Sequence, residues 1–195
     1  MSVAIEHLHK RAPFAHVHRV VPGMTRAKLY QQWAQMGFTK GAEIGVADGR
    51  NALTLCQAIP NLDLLCVDPW MTYRGNRRGG PQEQHDGNYL KAQERLKPYR
   101  VTFTRAMSAE VAKDTLRESL DFVYIDGNHA ESFVFADLAL WSQRVRAGGV
   151  VAGHDFYEFA HAGVVDAVVR YTTLYGITDW HVCDEREPSF WWVKS

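Results

Sequence analysis

Four short apolar runs in this chain stop at a glycine or an aspartate, and a helical segment follows each stop. Ala42 to Val46 breaks into the turn around Gly45 and Gly49 before Asn51 to Ile59 takes up helical spacing through Leu53, Cys56 and Ile59. Leu62 to Val67 halts at Asp68-Pro69 and precedes a helix over Asn88 to Lys97. Leu120 to Ile125 halts at Asp126-Gly127, ahead of a helix over Ser132 to Arg146. Val150 to Ala152 runs up to His154-Asp155, ahead of a helix over about Gly163 to Tyr175. Apolar on both faces, such strands suit a sheet covered on both sides. Their alternation with helices implies right-handed crossovers and a doubly wound, mostly parallel sheet.

The remaining segments fit the same frame. Thr25 to Met36 reads as an amphipathic helix capped by Thr25, Val101 to Thr104 as a brief strand, and Ala109 to Leu116 as a helix. Trp180 to Cys183 and Phe190 to Val193, joined by a polar turn, read as a closing antiparallel hairpin. A single domain over 1–195 is expected, with helices on both faces of seven strands, a covering segment at 1–24 and a long polar loop at 71–87. That loop carries Arg74, Arg77 and Arg78 and reads as a lid that could grip an anionic group.

Composition narrows the partners. Lys plus Arg and Asp plus Glu both number 22, so no net field draws the chain to nucleic acid or to a membrane surface. No apolar run approaches a membrane span, and the opening is interrupted by His7, His9, His16 and His18. Those histidines alternate as metal ligands can, but no Cys or carboxylate set accompanies them. Three widely spaced cysteines, Cys56, Cys66 and Cys183, sit among apolar neighbours and read as buried thiols of a cytoplasmic protein. A small-molecule partner is expected, and a homo-oligomer is left open.

In a doubly wound sheet, ligands bind outside the carboxyl ends of the strands. The first strand end is Glu43-Ile44-Gly45-Val46-Ala47-Asp48-Gly49-Arg50, and Asp68 ends the second strand, placed to accept ribose hydroxyl protons. A dinucleotide fold also uses a glycine turn and an acidic residue about 20 positions on. Its G-x-G-x-x-G is not met: counting from Gly45, Ala47 stands where the second glycine belongs. A nicotinamide-dependent oxidoreductase is therefore the alternative, as is a binding module without chemistry.

The E-x-G-x-x-x-G spacing with Val67-Asp68, and the antiparallel final strand, resemble class I S-adenosylmethionine-dependent methyltransferases. Asp121 to His129 (DFVYIDGNH), Ala147 to Phe156 (AGGVVAGHDF) and Ser189 to Val193 (SFWWV) resemble small bacterial enzymes related to macrocin and catechol O-methyltransferases. The resemblance implies a Rossmann-like fold and O-methylation of a small hydroxylated acceptor. It implies that Glu43 and Gly45, with Gly49, face the methionine half of the cofactor, Asp68 the ribose, and Met107 and Ser108 the adenine. Asp126 would lie near the sulfonium and the acceptor.

Several members of that group use a divalent metal. Here His154-Asp155 stands where catechol-type enzymes carry adjacent Asp and Asn. Asp126 and Asp155 should end neighbouring strands, bringing two carboxylates to one rim, where an ion would relieve their repulsion. Asp126, Asp155 and His129 are the expected metal ligands, for Mg²⁺ or Mn²⁺, and Asp126, His154 and Asp155 the expected catalytic residues, with His154 as general base. In the competing expectation one carboxyl stays protonated and the other acts alone as base. An amino-directed nucleic-acid methyltransferase is disfavoured, because Asp126-Gly127-Asn128-His129 replaces the Asn/Asp-Pro-Pro-aromatic turn such enzymes use on a flipped base.

Overall fold

Strand order turns back on itself between two central strands, and that reversal places the site. The structure is a computed structural model and describes residues 19–73, 75, 80–159 and 162–195. Its strands are β1 (Arg19–Val21), β2 (Lys40–Ile44), β3 (Asp63–Val67), β4 (Val101–Thr104), β5 (Leu120–Ile125), β6 (Val145–Gly153), β7 (His181–Cys183) and β8 (Phe190–Val193). They form one sheet in the order β1-β7-β8-β6-β5-β2-β3-β4. From β2 the chain winds outward through β3 and β4, then crosses back to β5 on the other side. The gap between the carboxyl ends of β2 and β5 is the crevice such a topology opens.

The helices are α1 (Arg26–Gln35), α2 (Arg50–Ala58), α3 (Gln82–Leu96), α4 (Ser108–Asp114), α5 (Glu131–Trp141) and α6 (Val164–Leu174). They cover the two faces, and the period-2 alternation of β5 divides its side chains between two cores. Phe122 and Tyr124 pack with Leu29, Trp33 and Leu55 under α1 and α2. Val123 and Ile125 pack with Leu138, Trp141 and Val168 under α5 and α6. Each large apolar side chain so buried stabilises the fold by about 1.5–3 kcal/mol.

Only β8 runs against its neighbours, pairing antiparallel with both β6 and β7, as the closing hairpin requires. An eighth strand joins the seven expected. Arg19 to Val21 lies parallel to β7 at the sheet edge, so the end of the covering segment is a strand. Three residues leave little pattern to read, and their partner is about 160 positions away.

Helix α3 starts at Gln82 rather than Asn88, which removes 82–87 from the polar loop. Its first turns, Gln82 to Gly87, hold no apolar residue to mark a period. They are fastened by polar contacts instead: Gln82 Nε2 donates to Trp70 O and Asp86 Oδ1 at 3.0 Å each. Arg74, Arg77 and Arg78, and the four histidines between residues 7 and 18, lie outside the described residues. In the second half, α5 ends at Trp141 and β6 begins at Val145, earlier than the run Val150 to Ala152 suggests. A register irregularity opposite Leu120 and Phe122 carries the exposed Ala147-Gly148 through the strand. Among the described residues no helix is long and apolar enough to cross a membrane. The three cysteines are free and buried.

Candidate active site

A cavity of about 780 Å³ opens over the β2–β5 reversal. Its floor is the turn after β2, which only glycine allows at position 45. Gly45 has φ +88°, and a Cβ there would stand 2.2 Å from Asp126 O. The close approach brings the ends of β2 and β5 together, with Asp126 N donating to Ile44 O at 2.7 Å. Gly49 also has positive φ, but it packs against Ala92 of α3 and does not line the cavity.

Asp68 braces this turn from β3. Its Oδ2 accepts from Val46 N and Ala47 N, both at 3.0 Å, and its Oδ1 from Trp70 N at 2.7 Å. Ala47 at φ +47° and Trp70 at φ +41° are both left-handed, and Trp70 Nε1 returns a bond to Ala47 O at 2.8 Å. A carboxylate has about four acceptor positions. Three are occupied here, so ribose recognition has one left to use.

Glu43 sits deepest and is 1% exposed. Its Oε1 accepts from Asn51 Nδ2 at 2.9 Å, and Asn51 Oδ1 in turn accepts from Tyr30 Oη at 2.8 Å. The other oxygen, Oε2, is buried without a partner. Burial raises the Glu43 pKa to about 8, and the hydrogen bond from Asn51 only partly offsets this.

At the other end Met107 caps α4, and Ser108 Oγ accepts from Trp141 Nε1 at 2.8 Å. With that lone pair filled by a donor, the hydroxyl proton points to Asp137 Oδ1. Asp137 was not anticipated. It is a cavity-lining carboxyl whose pKa burial raises to about 6, against the Ser108 hydrogen bond. Its signal in the sequence is a lone acid within the apolar helix FVFADLALW.

The register Ile125↔Gly153 makes Asp126 and His154 successive strand ends, and the expected carboxylates meet there. His154 Nδ1 lies 3.1 Å from Asp155 Oδ1 and 3.8 Å from Asp126 Oδ2. His129 Nε2 lies 2.9 Å from Asp155 Oδ2 and 3.6 Å from Asp126 Oδ1, though without the alignment of a hydrogen bond. Burial opposes charge on His129, but the two carboxylates outweigh it and raise its pKa to about 9. His154 is raised against the same opposition, chiefly by Asp155. Asp155, at φ +58°, is held well below the ordinary carboxylate range: burial works against this, and the two histidines prevail. Both imidazoles thus stand within reach of both carboxylates.

Among the described residues Asp126, His154 and Asp155 form the compact donor set, each offering an atom within 4.8 Å of the others. Asp126 and His129 line the cavity, whereas His154 and Asp155 stand behind them.

Comparison with known proteins agrees with this geometry. Residues 42–156 match a family model described as a methyltransferase domain. The chain belongs to that family, within the class I S-adenosylmethionine-dependent methyltransferases. No curated protein matches it. Among solved structures it is similar to the O-methyltransferase from Bacillus cereus in complex with SAH, at 16% identity and TM-score 0.60, covering 91% of this chain and 84% of that one. It is similar to the O-methyltransferase TomG from Streptomyces achromogenes, in complex with SAM, at 16% identity and TM-score 0.59, covering 90% and 84%. It is also similar to a putative rRNA-methylase from Clostridium thermocellum, at 10% identity and TM-score 0.64, covering 90% and 100%. At these identities the likeness is one of fold, which hosts acceptors of different kinds.

Proposed function

We propose that this methyltransferase binds S-adenosylmethionine in the cavity and transfers its methyl group to a hydroxyl oxygen of a small acceptor. The observation that carries the reading is the unpartnered, buried Glu43 Oε2 at one end of a cavity whose wall also holds Asp126 and His129. A buried acceptor without a donor fits a cationic donor from the ligand, and the α-ammonium of the cofactor is one. The cavity volume suits a ligand of that size. The close backbone passage at Gly45 leaves the methionine half a shallow floor.

The chain's residues then divide the work. Glu43 orients the amino-acid end, Asp68 holds the turn beneath it, and Ser108 with Asp137 offers hydrogen-bonding groups at the opposite end. The acceptor oxygen meets the cofactor beside Asp126, in line with the methyl carbon and sulfur. His129, held by Asp155 and Asp126, takes the hydroxyl proton as the acceptor oxygen attacks only once it has lost its own, so the step gains as pH rises toward about 9.

Two carboxylates and an imidazole make a donor set suited to a divalent ion, and Asp126, Asp155 and His154 would hold it. Such an ion would supply a lowered acceptor pKa and a fixed acceptor position. The test is incubation with methyl-labelled cofactor and a panel of phenols, catechols and sugar hydroxyls, following S-adenosylhomocysteine release. Label in an O-methyl product supports the reading. Tight cofactor binding with no turnover on any acceptor class would instead favour a binding module.

A further inference from the structure

Asn128 stands in the turn after β5, between Asp126 and His129, and lines the cavity. Its Oδ1 accepts from Ala130 N at 3.0 Å, which fixes the plane of the side-chain amide and aims Nδ2 out of its own turn. Nδ2 then donates twice to the chain that follows β3, to Gly75 O at 3.0 Å and to Tyr73 Oη at 3.3 Å. Beside these bonds the Tyr73 and Phe133 ring centroids lie 6.1 Å apart, and a Cβ on Gly75 would stand 3.2 Å from the Phe133 ring.

The near foot of the same stretch is tied down on the other side of the cavity. Trp70 O accepts from Gln82 Nε2 at 3.0 Å and from Arg105 Nη2 at 2.8 Å, and Thr72 N donates to Gln82 Oε1 at 3.2 Å. Gln82 opens α3, and Arg105 follows β4. In the sheet β2 lies between β5 and β3, with β4 beyond β3. Chain anchored beside β3 and β4 and fastened again behind β5 therefore passes over the carboxyl ends of the strands. Tyr73 makes the crossing: it is half-buried, lines the cavity, and lies within electrostatic reach of both Asp68 and Asp137. It spans the half of the cavity away from Glu43.

We propose that Asn128 is a positioning residue whose amide latches Tyr73 and Gly75 across the cavity, and that this bridge sets the rate at which the cofactor and its demethylated product enter and leave. This rests on the reading that the cavity binds S-adenosylmethionine. A ligand seated on the turn after β2 lies beneath the bridge and must part it in both directions. Both N–H donors of the amide are engaged by the bridge, so Asn128 acts on the ligand through Tyr73 and Gly75 rather than by touching it. Two neutral hydrogen bonds and a ring contact open far more readily than the core beneath them.

The experiment measures association of labelled S-adenosylmethionine, and its dissociation under a chase of unlabelled cofactor, in the wild type, Asn128→Ser and Tyr73→Phe. Serine still offers an oxygen to Ala130 N but is too short to reach Gly75, so the turn is kept and the latch is lost. Dissociation from Asn128→Ser should be about tenfold faster, the scale of two neutral hydrogen bonds. Association should quicken as well, so the dissociation constant changes less than the dissociation rate. Tyr73→Phe, which keeps the bond to Gly75 O, should show a smaller rise in both rates. Circular dichroism melts establish that each variant is folded; should Asn128→Ser not fold, Tyr73→Phe decides alone, and unaltered rates there would overturn the latch. An unchanged dissociation rate in folded Asn128→Ser, or faster dissociation with association unaltered, would equally overturn it while leaving the cofactor reading in place. Absence of binding by the wild type would remove both.

Discussion

Asp68 accepts the amide proton of Ala47 at 3.0 Å, so a carboxylate on β3 holds a left-handed, non-glycine residue of the turn after β2. Because Asp68 also accepts from Val46 and Trp70, its first duty is to the shape of the cavity floor. Asp68→Ala should therefore lower folding stability by about 2 kcal/mol, the scale of hydrogen bonds to a charged group, and weaken cofactor binding in parallel. Denaturant melts beside titration calorimetry measure both. A variant with wild-type stability but weakened binding would show that Asp68 acts on the ribose directly rather than through the turn.

Asp137 gives a pH dependence of stability. Its folded pKa, about 6, exceeds the ordinary 3.8, so the folded state binds the proton more tightly than the unfolded state. Stability from this group is present in full below pH 3.8 and is lost as pH rises toward about 6, by about 3 kcal/mol at most. Asp137→Asn should flatten that stretch of the stability curve, read as denaturant midpoints from pH 3.5 to 7. An unchanged slope in the variant would reassign the dependence to another group.

Glu43 should make cofactor binding release a proton. Burial raises its pKa to about 8, so it is largely protonated at pH 7. Accepting an ammonium group requires the carboxylate, and about one proton should leave for each cofactor bound. Calorimetry in phosphate and in Tris would show the difference as buffer ionisation heat. Glu43→Gln should abolish that difference and weaken binding, and identical heats for the wild type in both buffers would rule the coupling out.

The parts of the site that were legible in the sequence are those set by strand ends. Gly45, Asp68, Asp126, His154 and Asp155 each follow an apolar run, and parallel pairing brings such ends to one edge. What was hidden depends on contacts across long sequence separations. Arg26 reaches the cavity because Glu185, 159 positions on, holds its backbone. That Gly49 also packs against Ala92 of α3 shows only in the fold. Asp137 meets Ser108 only when α4 and α5 lie side by side, and nothing in either helix foretells that contact. Local pattern also missed the first turns of α3, where side-chain hydrogen bonds replace an apolar stripe.

On the proposed function, the two histidines of the rim should separate ion binding from proton transfer. Asp126, His154 and Asp155 offer donor atoms within 4.8 Å of one another, and His129 faces the cavity from the other side of Asp155. Dialysis against chelator should depress methyl transfer, and Mg²⁺ or Mn²⁺ should restore it. Asp126→Asn and Asp155→Asn should each lower kcat by about 100-fold or more, because each faces both histidines as well as the donor set. His154→Ala should raise the ion concentration needed for half-maximal rate, whereas His129→Ala should lower kcat with little change in that concentration. The opposite pattern would return His129 to the ligand set and His154 to proton transfer. Full activity in chelator, with both aspartate variants unaffected, would eliminate the ion from the mechanism and leave the family assignment untouched.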